Sequence, residues 1–141
     1  MIEYRFLGDH QDNKMQLKHI ALVSSAQDKA DRFYQTVLGL KKTDEKTIPA
    51  ALSDQIFNLD SELKIINYAN DTIHFEIFIA DKQNLESNRI SHVCLEVGNL
   101  EAFLDTCRKM GVAILQVPKG DAMITFITDD DGNQFEIKHV D

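Results

Sequence analysis

Apolar and polar residues alternate along several short stretches of the chain with the period of two that β-strands show. The clearest is IHFEIFIA, which begins at Ile73: its odd-numbered positions are apolar, and His74 and Glu76 share the other face. Near the C-terminus, QFEIKHV repeats the Phe-Glu-Ile core around Glu136. Each stretch therefore predicts a strand with one buried face and a carboxylate on the opposite face.

Two stretches have the helical period instead. The apolar positions of the first are Ala30, Phe33, Tyr34, Val37 and Leu38, and those of the second are Leu100, Phe103, Leu104 and Cys107. Ser25, with Asp28 three residues later, resembles a capping box for the first helix, and Asn99 is a good cap for the second. Gly39 and Gly111 are expected to end the two helices. Both patterns predict amphipathic helices that pack on a sheet.

The same order of elements occurs twice: a strand, a helix and then three strands. The first copy occupies residues 17–80 and the second occupies residues 90–141, with a polar linker between them and an N-terminal extension over residues 1–16. Internal repetition of this kind predicts two modules of one construction. The fold class is therefore α+β, with two tandem βαβββ modules that together form one domain.

One segment, Ile48–Asp60, has no counterpart in the second module. Pro49 can open a short helix there, with Leu52, Ile56 and Leu59 on one face. Such an insertion could roof a pocket or could pack as a loop, and the sequence favours neither.

Composition narrows the functional classes. The chain has 141 residues, a formal net charge of -8 and no basic run, so nucleic acid is not an expected partner. Its apolar stretches are shorter than the ~20 residues of a membrane span, so no membrane partner is expected. Two cysteines do not make a disulfide framework, and no secretory signal is recognisable, so we expect a cytoplasmic protein.

Each module places a histidine at the start of its first strand and a glutamate in the middle of its last strand. These residues are His19 and Glu76 in the first module and His92 and Glu136 in the second. A pseudo-twofold axis between the modules would bring all four together. Two imidazoles and two carboxylates suit Zn, Ni, Co, Mn or Fe(II). Taken singly, each residue is more commonly found on a solvated face, and it is the duplication that favours a metal site.

Several motifs, in this order, resemble the vicinal oxygen chelate superfamily, which includes glyoxalase I, methylmalonyl-CoA epimerase, extradiol dioxygenases and fosfomycin- and bleomycin-resistance proteins. They are HIALVSSAQDKADRFYQTVLGL, IHFEIF, ISHVCLEVGNLEAFLDTCRKMGV and KGDAMITFITDDDGNQFEI, within residues 17–140. The resemblance implies a cup-shaped mixed sheet, with helices on its outer face, around a divalent metal. It implies the metal ligands His19, Glu76, His92 and Glu136.

Two details of the resemblance bear on the subfamily. Glu76 matches glyoxalase I, whereas epimerases typically carry glutamine at that position. Bacterial glyoxalase I holds glutathione with an arginine and an asparagine, and Val23 and Ala80 occupy those places here. Glutathione is therefore a doubtful cosubstrate.

The implied function is metal-dependent proton transfer, of an isomerase or lyase type, on a small carbonyl substrate. By the resemblance, Glu136 is the first candidate for the catalytic base and Glu76 is the second. One alternative is a non-catalytic protein that binds a small molecule or an antibiotic, and another is an Fe(II) ring-cleaving dioxygenase. In this family the modules pair within one chain or across a dimer, and we expect a homodimer.

Other side chains are expected near the proposed metal. His74 shares a face with Glu76 and is expected at the rim or in a structural role. Cys94 shares a face with His92 and is expected to be a small buried filler. Phe78, Phe126 and Tyr68 are expected to form an apolar wall of the cup.

Overall fold

The computed structural model of the protein describes residues 17–81 and 93–140, which form eight strands and three helices. The first module comprises β1 (Ile20–Ser24), α1 (Gln27–Ala30, continued by a π-helical segment over Asp31–Val37), β2 (Lys41–Ile48), α2 (Ala50–Phe57), β3 (Leu63–Ala69) and β4 (His74–Ile79). The second comprises β5 (Val93–Val97), α3 (Leu100–Lys109), β6 (Ala113–Lys119), β7 (Ala122–Thr128) and β8 (Gln134–His139). No helix in these two ranges is both long and apolar enough to cross a membrane.

Each module folds into one four-stranded mixed sheet. The strand order is β1-β4-β3-β2 in the first sheet and β5-β8-β7-β6 in the second. In both sheets the first strand pairs in parallel with the last, and the other pairs are antiparallel. The predicted α+β fold with two βαβββ modules is confirmed. The N-terminal extension (residues 1–16) and the start of the second module, including His92, lie outside the described residues.

The caps of the helices were predicted with mixed success. Asn99 caps α3 as expected, because its Oδ1 accepts the backbone N–H of Ala102 at 3.0 Å. The prediction that Ser25 caps α1 is wrong, since the capping position is Ala26 and no side chain bonds there. Ser25 instead accepts a hydrogen bond from the ammonium group of Lys29 at 3.2 Å. Gly39 follows the helical segment with a φ of 75°, a value that favours glycine.

A single hydrophobic core joins the two modules. Aromatic rings from α1 lie between the core faces of both sheets: Phe33 is 5.2 Å from Phe135, and Tyr34 is 5.5 Å from Phe75 (ring centroids). Phe75 and Phe135, from the last strands of the two modules, are themselves 6.0 Å apart. The predicted helix stripe is confirmed, and Cys107 of α3 is fully buried in the same core. Neither sheet could expose this face to water without losing that burial.

A polar turn clamps the second module to the first. Asp129, at the end of β7, accepts hydrogen bonds from the hydroxyl of Tyr34 at 3.2 Å and from the side chain and backbone N–H of Asn133 at 2.8 Å each. Asn133 also donates to the carbonyl of Val23 at 2.7 Å, and Ser24 donates to Asp131 at 2.9 Å. Burial raises the pKa of Asp129, and the hydrogen bonds from Asn133 and from the backbone of Asp131 act in the opposite direction by stabilising its carboxylate form.

The insertion between β2 and β3 contains the short helix that Pro49 predicts. Leu52 and Ile56, two of the residues expected on its one apolar face, are 42% and 58% exposed. Ser53 is the buried residue of α2, and the ring of Phe57 packs edge-on against Phe78 at 5.3 Å. The contact between Phe57 and Phe78 joins the last residue of the helix to β4.

Replacing Asp129 by alanine is expected to lower the free energy of unfolding by about 2–4 kcal/mol, because it leaves the buried Tyr34 hydroxyl without its acceptor. The measurement is denaturant unfolding, read as the shift in midpoint at constant slope. The matched control is Asp130→Ala in the same turn, at an exposed carboxylate. Equal stability of the two variants would contradict the role assigned to the clamp.

Candidate metal site

The alternation of faces along β4 fixes where Glu76 points. Phe75 and Ile77 are fully buried in the core, so Glu76 between them lies on the opposite face, with its side chain 15% exposed. We call this the site face of the first sheet; it also carries His74 and Phe78. The prediction that His74, Glu76 and Phe78 share the face opposite the core is confirmed.

His19 and Glu76 meet on the site face. The parallel register places Ala21 beside Glu76, so His19, two residues earlier, reaches the same face just before β1 begins. Its Nε2 atom is 3.2 Å from Oε1 of Glu76. The ammonium group of Lys46, on β2, is 3.8 Å from the other carboxylate oxygen. Lys46 could not be identified from the sequence, because its position depends on the pairing of β2 with β3.

His74 is held by a neighbour that the sequence analysis missed. Its Nε2 atom is 2.6 Å from Oδ1 of Asn67, which is buried and pairs across the strands with Glu76. The His74 ring also lies 5.7 Å from the ring of His19 (centroids). When Nε2 of His74 carries the proton that Asn67 accepts, Nδ1 is left with its lone pair. A polar residue at a buried strand position in LKIINYA is the signal that could have identified Asn67.

The second sheet presents the corresponding carboxylate. Glu136 on β8 lies between the buried Phe135 and Ile137, is paired with Cys94 and Phe126, and has Lys138 Nζ 3.8 Å from its Oε2 atom. Cys94 is exposed, so the expectation of a buried filler is wrong. Loss of solvent around the sulfur, together with the charge of Glu136, raises the pKa of the Cys94 thiol. This shift disfavours the thiolate form.

The described residues contain the His19–Glu76 half of the predicted metal site and, from the other half, Glu136. His19 and Glu76 are in contact, whereas residues 17–81 and 93–140 contain no group of three His, Cys, Asp or Glu side chains that could hold a metal. Glu136 is therefore not grouped with the His19–Glu76 pair, and His92 is outside the described residues. The four-residue ligand set stays a prediction.

The donor chemistry fits a divalent metal. Imidazole nitrogen and carboxylate oxygen are ligands of borderline and hard metals respectively, and His19 and Glu76 offer one of each at 3.2 Å. Glu76 is also close to Lys46 and Glu136 to Lys138. Each lysine ammonium group therefore partly neutralises a carboxylate to which a divalent metal would also be attracted.

An apolar cavity continues the site face beyond Glu76. It is lined by residues of β1, the end of α2 and β4, among them Val23, Phe57, Phe78 and Ala80. Val23 and Ala80 are the positions at which the resemblance places contacts to glutathione, and here they form part of an apolar wall. The expectation for Phe78 is confirmed. That for Tyr68 is wrong, because its ring stacks on Tyr34 in the core at 5.3 Å.

A comparison with protein families agrees with the fold. Residues 16–137 match the family model described as the Glyoxalase/Bleomycin resistance protein/Dioxygenase superfamily. The chain belongs to this superfamily.

Solved structures with the same fold come from several bacteria. Fosfomycin resistance protein FosX from Listeria monocytogenes is 18% identical, with a TM-score of 0.66 over 87% of this chain and 91% of that chain. A glyoxalase family protein from Enterococcus faecalis is also 18% identical, with a TM-score of 0.65 and coverages of 86% and 95%. One from Bacillus cereus is 13% identical, with a TM-score of 0.69 and coverages of 92% and 97%. No curated protein matches the chain in sequence. At these identities the solved structures establish a shared fold.

If Glu76 is a metal ligand, Glu76→Gln should weaken binding of a divalent cation by roughly a hundredfold or more, because even residues behind the ligands contribute ten- to hundredfold. Isothermal titration with Zn²⁺ or Mn²⁺ measures the change. Glu101→Gln, at an exposed carboxylate of α3, is the matched control. Unchanged affinity in the Glu76 variant would remove this residue from the site.

Proposed function

We propose that this chain is a divalent-metal-dependent enzyme of the glyoxalase type, which transfers a proton on a small carbonyl substrate. The proposed ligands are His19 and Glu76 from one module and His92 and Glu136 from the other. The observation that supports this most strongly is the 3.2 Å contact between His19 and Glu76 on the site face, away from the core. Because Phe75 and Ile77 on either side of Glu76 are fully buried, the carboxylate of Glu76 is kept on the site face.

The bound metal would act as a Lewis acid that makes a proton next to the substrate carbonyl easier to remove. Glu136 would accept that proton and return it to the neighbouring carbon. Glu136 stands on a rigid strand, with Phe126 directly beside it on β7 and Lys138 Nζ 3.8 Å from Oε2. A positioned carboxylate of this kind contributes ~10²–10⁴-fold to the rate. Glu76, on the other half-site, is the second candidate for the same role.

The relatives support a metal of this class. A variant of FosX from Listeria monocytogenes, with a TM-score of 0.64 to this chain, was crystallised with Mn(II) and 1S,2S-dihydroxypropylphosphonic acid. That protein thus accommodates a divalent metal and a small oxygen-rich ligand within the fold that the two proteins share. We propose a divalent metal for this chain on the same basis, together with the His19–Glu76 pair.

We further propose that two copies of the chain complete the site, with one half-site contributed by each copy. Two observations support this arrangement. Within the described ranges Glu136 does not group with His19 and Glu76. The second sheet also leaves Leu115 and Val117 of β6 53% and 39% exposed, and apolar strand residues are stabilised when a partner covers them. A twofold dimer would bring the first module of one copy to the second module of the other.

Proton transfer can be tested without knowing the natural substrate. Protein loaded with Zn²⁺ or Mn²⁺ is expected to exchange the protons next to the carbonyl of 2-hydroxyacetophenone or hydroxyacetone with D₂O, as followed by NMR. Glu136→Gln should slow this exchange by about 10²-fold or more while the fold is retained. Glu96→Gln, at an exposed carboxylate on neighbouring β5, is the control. Exchange at the wild-type rate in the Glu136 variant would contradict its role, and no exchange by wild-type protein would favour a non-catalytic binding protein.

The shared site can be tested by mixing two variants. Glu76→Gln and Glu136→Gln chains are each expected to bind little metal. In a random mixture, half of the dimers contain one of each chain, and one of their two sites has all four native ligands. Metal binding should then recover to about one quarter of the wild-type value. If both modules of one chain form each site, the mixture will bind no more metal than the separate variants.

A further inference from the structure

The apolar cavity beside the candidate metal site has the size of a binding pocket for one ring or a short hydrocarbon chain. Its volume is about 210 Å³, and every residue that lines it is apolar. An engineered cavity of about 150 Å³ in another protein stays dry and binds benzene. The cavity can therefore hold an uncharged group of that size.

The cavity lies beside the half-site that contains Glu76, because Ala21, the strand partner of Glu76, is one of its lining residues. Phe78 lies two residues after Glu76 on the same strand and the same face, about 7 Å further along. The parallel register pairs Ala21 with Glu76 and Val23 with Phe78, and Ala21, Val23 and Phe78 all line the cavity. A small molecule whose oxygens reach Glu76 would thus extend any attached group into the cavity.

Helix α2 closes the cavity from one side. Phe57, its last residue, packs edge-on against Phe78 at 5.3 Å and remains 48% exposed. An aromatic ring in this position can cover a bound group and gain burial as it does so. Residues 93–140 of the second module contain no counterpart of α2, so among the described residues this wall belongs to the half-site of the first module.

The charges around the cavity select against anionic groups. A neighbouring cavity shares Leu63 and Ala80 with it and is lined further out by Glu62 and Asp81. A carboxylate or phosphate group entering there would lose its hydration and meet negative charge. An uncharged hydrocarbon or aromatic group would lose no such hydration.

We propose that this cavity, bounded by Val23, Phe57, Phe78 and Ala80, is a subsite for an uncharged aromatic or short aliphatic group of the substrate. This inference rests on the proposed function, and it defines the substrate class: a small carbonyl compound with neighbouring oxygens at one end and an apolar group at the other. The position of the cavity on the site face, next to Glu76, is the observation that carries the inference.

Three neutral probes test the subsite by ligand-observed NMR: 2-hydroxyacetophenone, hydroxyacetone and benzyl alcohol. Metal-loaded protein should bind 2-hydroxyacetophenone roughly ten- to a hundredfold more tightly than hydroxyacetone, because the phenyl ring is buried. Phe57→Ala should reduce this preference to within about threefold, since one wall is lost. The matched control is Leu52→Ala, which changes an exposed leucine of the same helix that does not line the cavity and should keep the preference.

Benzyl alcohol separates failure of this inference from failure of the metal-dependent function. It lacks neighbouring oxygens, so it should bind with and without metal, and Phe57→Ala should weaken it in both conditions. This result in a protein that binds no metal would support the subsite while contradicting the proposed function. The inference is overturned if 2-hydroxyacetophenone binds no more tightly than hydroxyacetone, or if Phe57→Ala and Leu52→Ala behave alike. It is also overturned if Phe57→Ala converts a dimer to a monomer, because a second copy would then be the occupant.

Discussion

The strict alternation of side chains along the last strand of each module is the constraint on which the rest of the structure depends. Phe75 and Ile77 enter the core, and Glu76 between them must face away from it. A slip of one residue in the pairing of β4 would bury the carboxylate and expose two large apolar side chains. The burial of Phe75 and Ile77 thus holds Glu76 in place, and the same holds for Glu136 between Phe135 and Ile137.

The shared core then determines how the two half-sites are oriented. Tyr34 of the first module contacts the core faces of the sheets through its ring and contacts Asp129 of the second module through its hydroxyl. Burial raises the pKa of Asp129, and the hydrogen-bond donors around it offset part of the cost of burying its carboxylate. Because both sheets use their apolar faces to build one core, the faces that carry Glu76 and Glu136 are both turned outward. In the proposed dimer, a second copy of the chain would bring these faces together.

Local patterns in the sequence predicted much of the fold. The repeat of strand, helix and three strands, the faces of β4 and β8, the Asn99 cap and the burial of Cys107 depend on period and turn chemistry within one segment. Wrong predictions depend on contacts between segments. The exposure of Cys94 depends on what covers the second sheet, which a pattern within β5 does not contain. Tyr68 was assigned to the wrong face because its position in β3 could be fixed only by its pairing with Phe75.

The candidate site shows the same division. His19 and Glu76 could be predicted from their matched places in the repeat, whereas Lys46 and Asn67 reach Glu76 and His74 through the antiparallel ladder of β2, β3 and β4. The apolar cavity could not be predicted either, because its lining comes from three separate elements. The sequence did not decide whether the insertion over residues 48–60 covers a pocket or packs as a loop. In the structure this insertion contributes Phe57 to the cavity on which the proposed substrate class depends.

X-ray absorption spectroscopy of the Zn²⁺-loaded protein shows whether a divalent metal binds the imidazole and carboxylate groups of the two half-sites. We expect nitrogen and oxygen neighbours of the metal at ~2.0–2.2 Å, with imidazole scattering that decreases when His19 is replaced by glutamine. Sulfur at ~2.3 Å, which would implicate Cys94, or a shell without imidazole scattering would contradict this expectation.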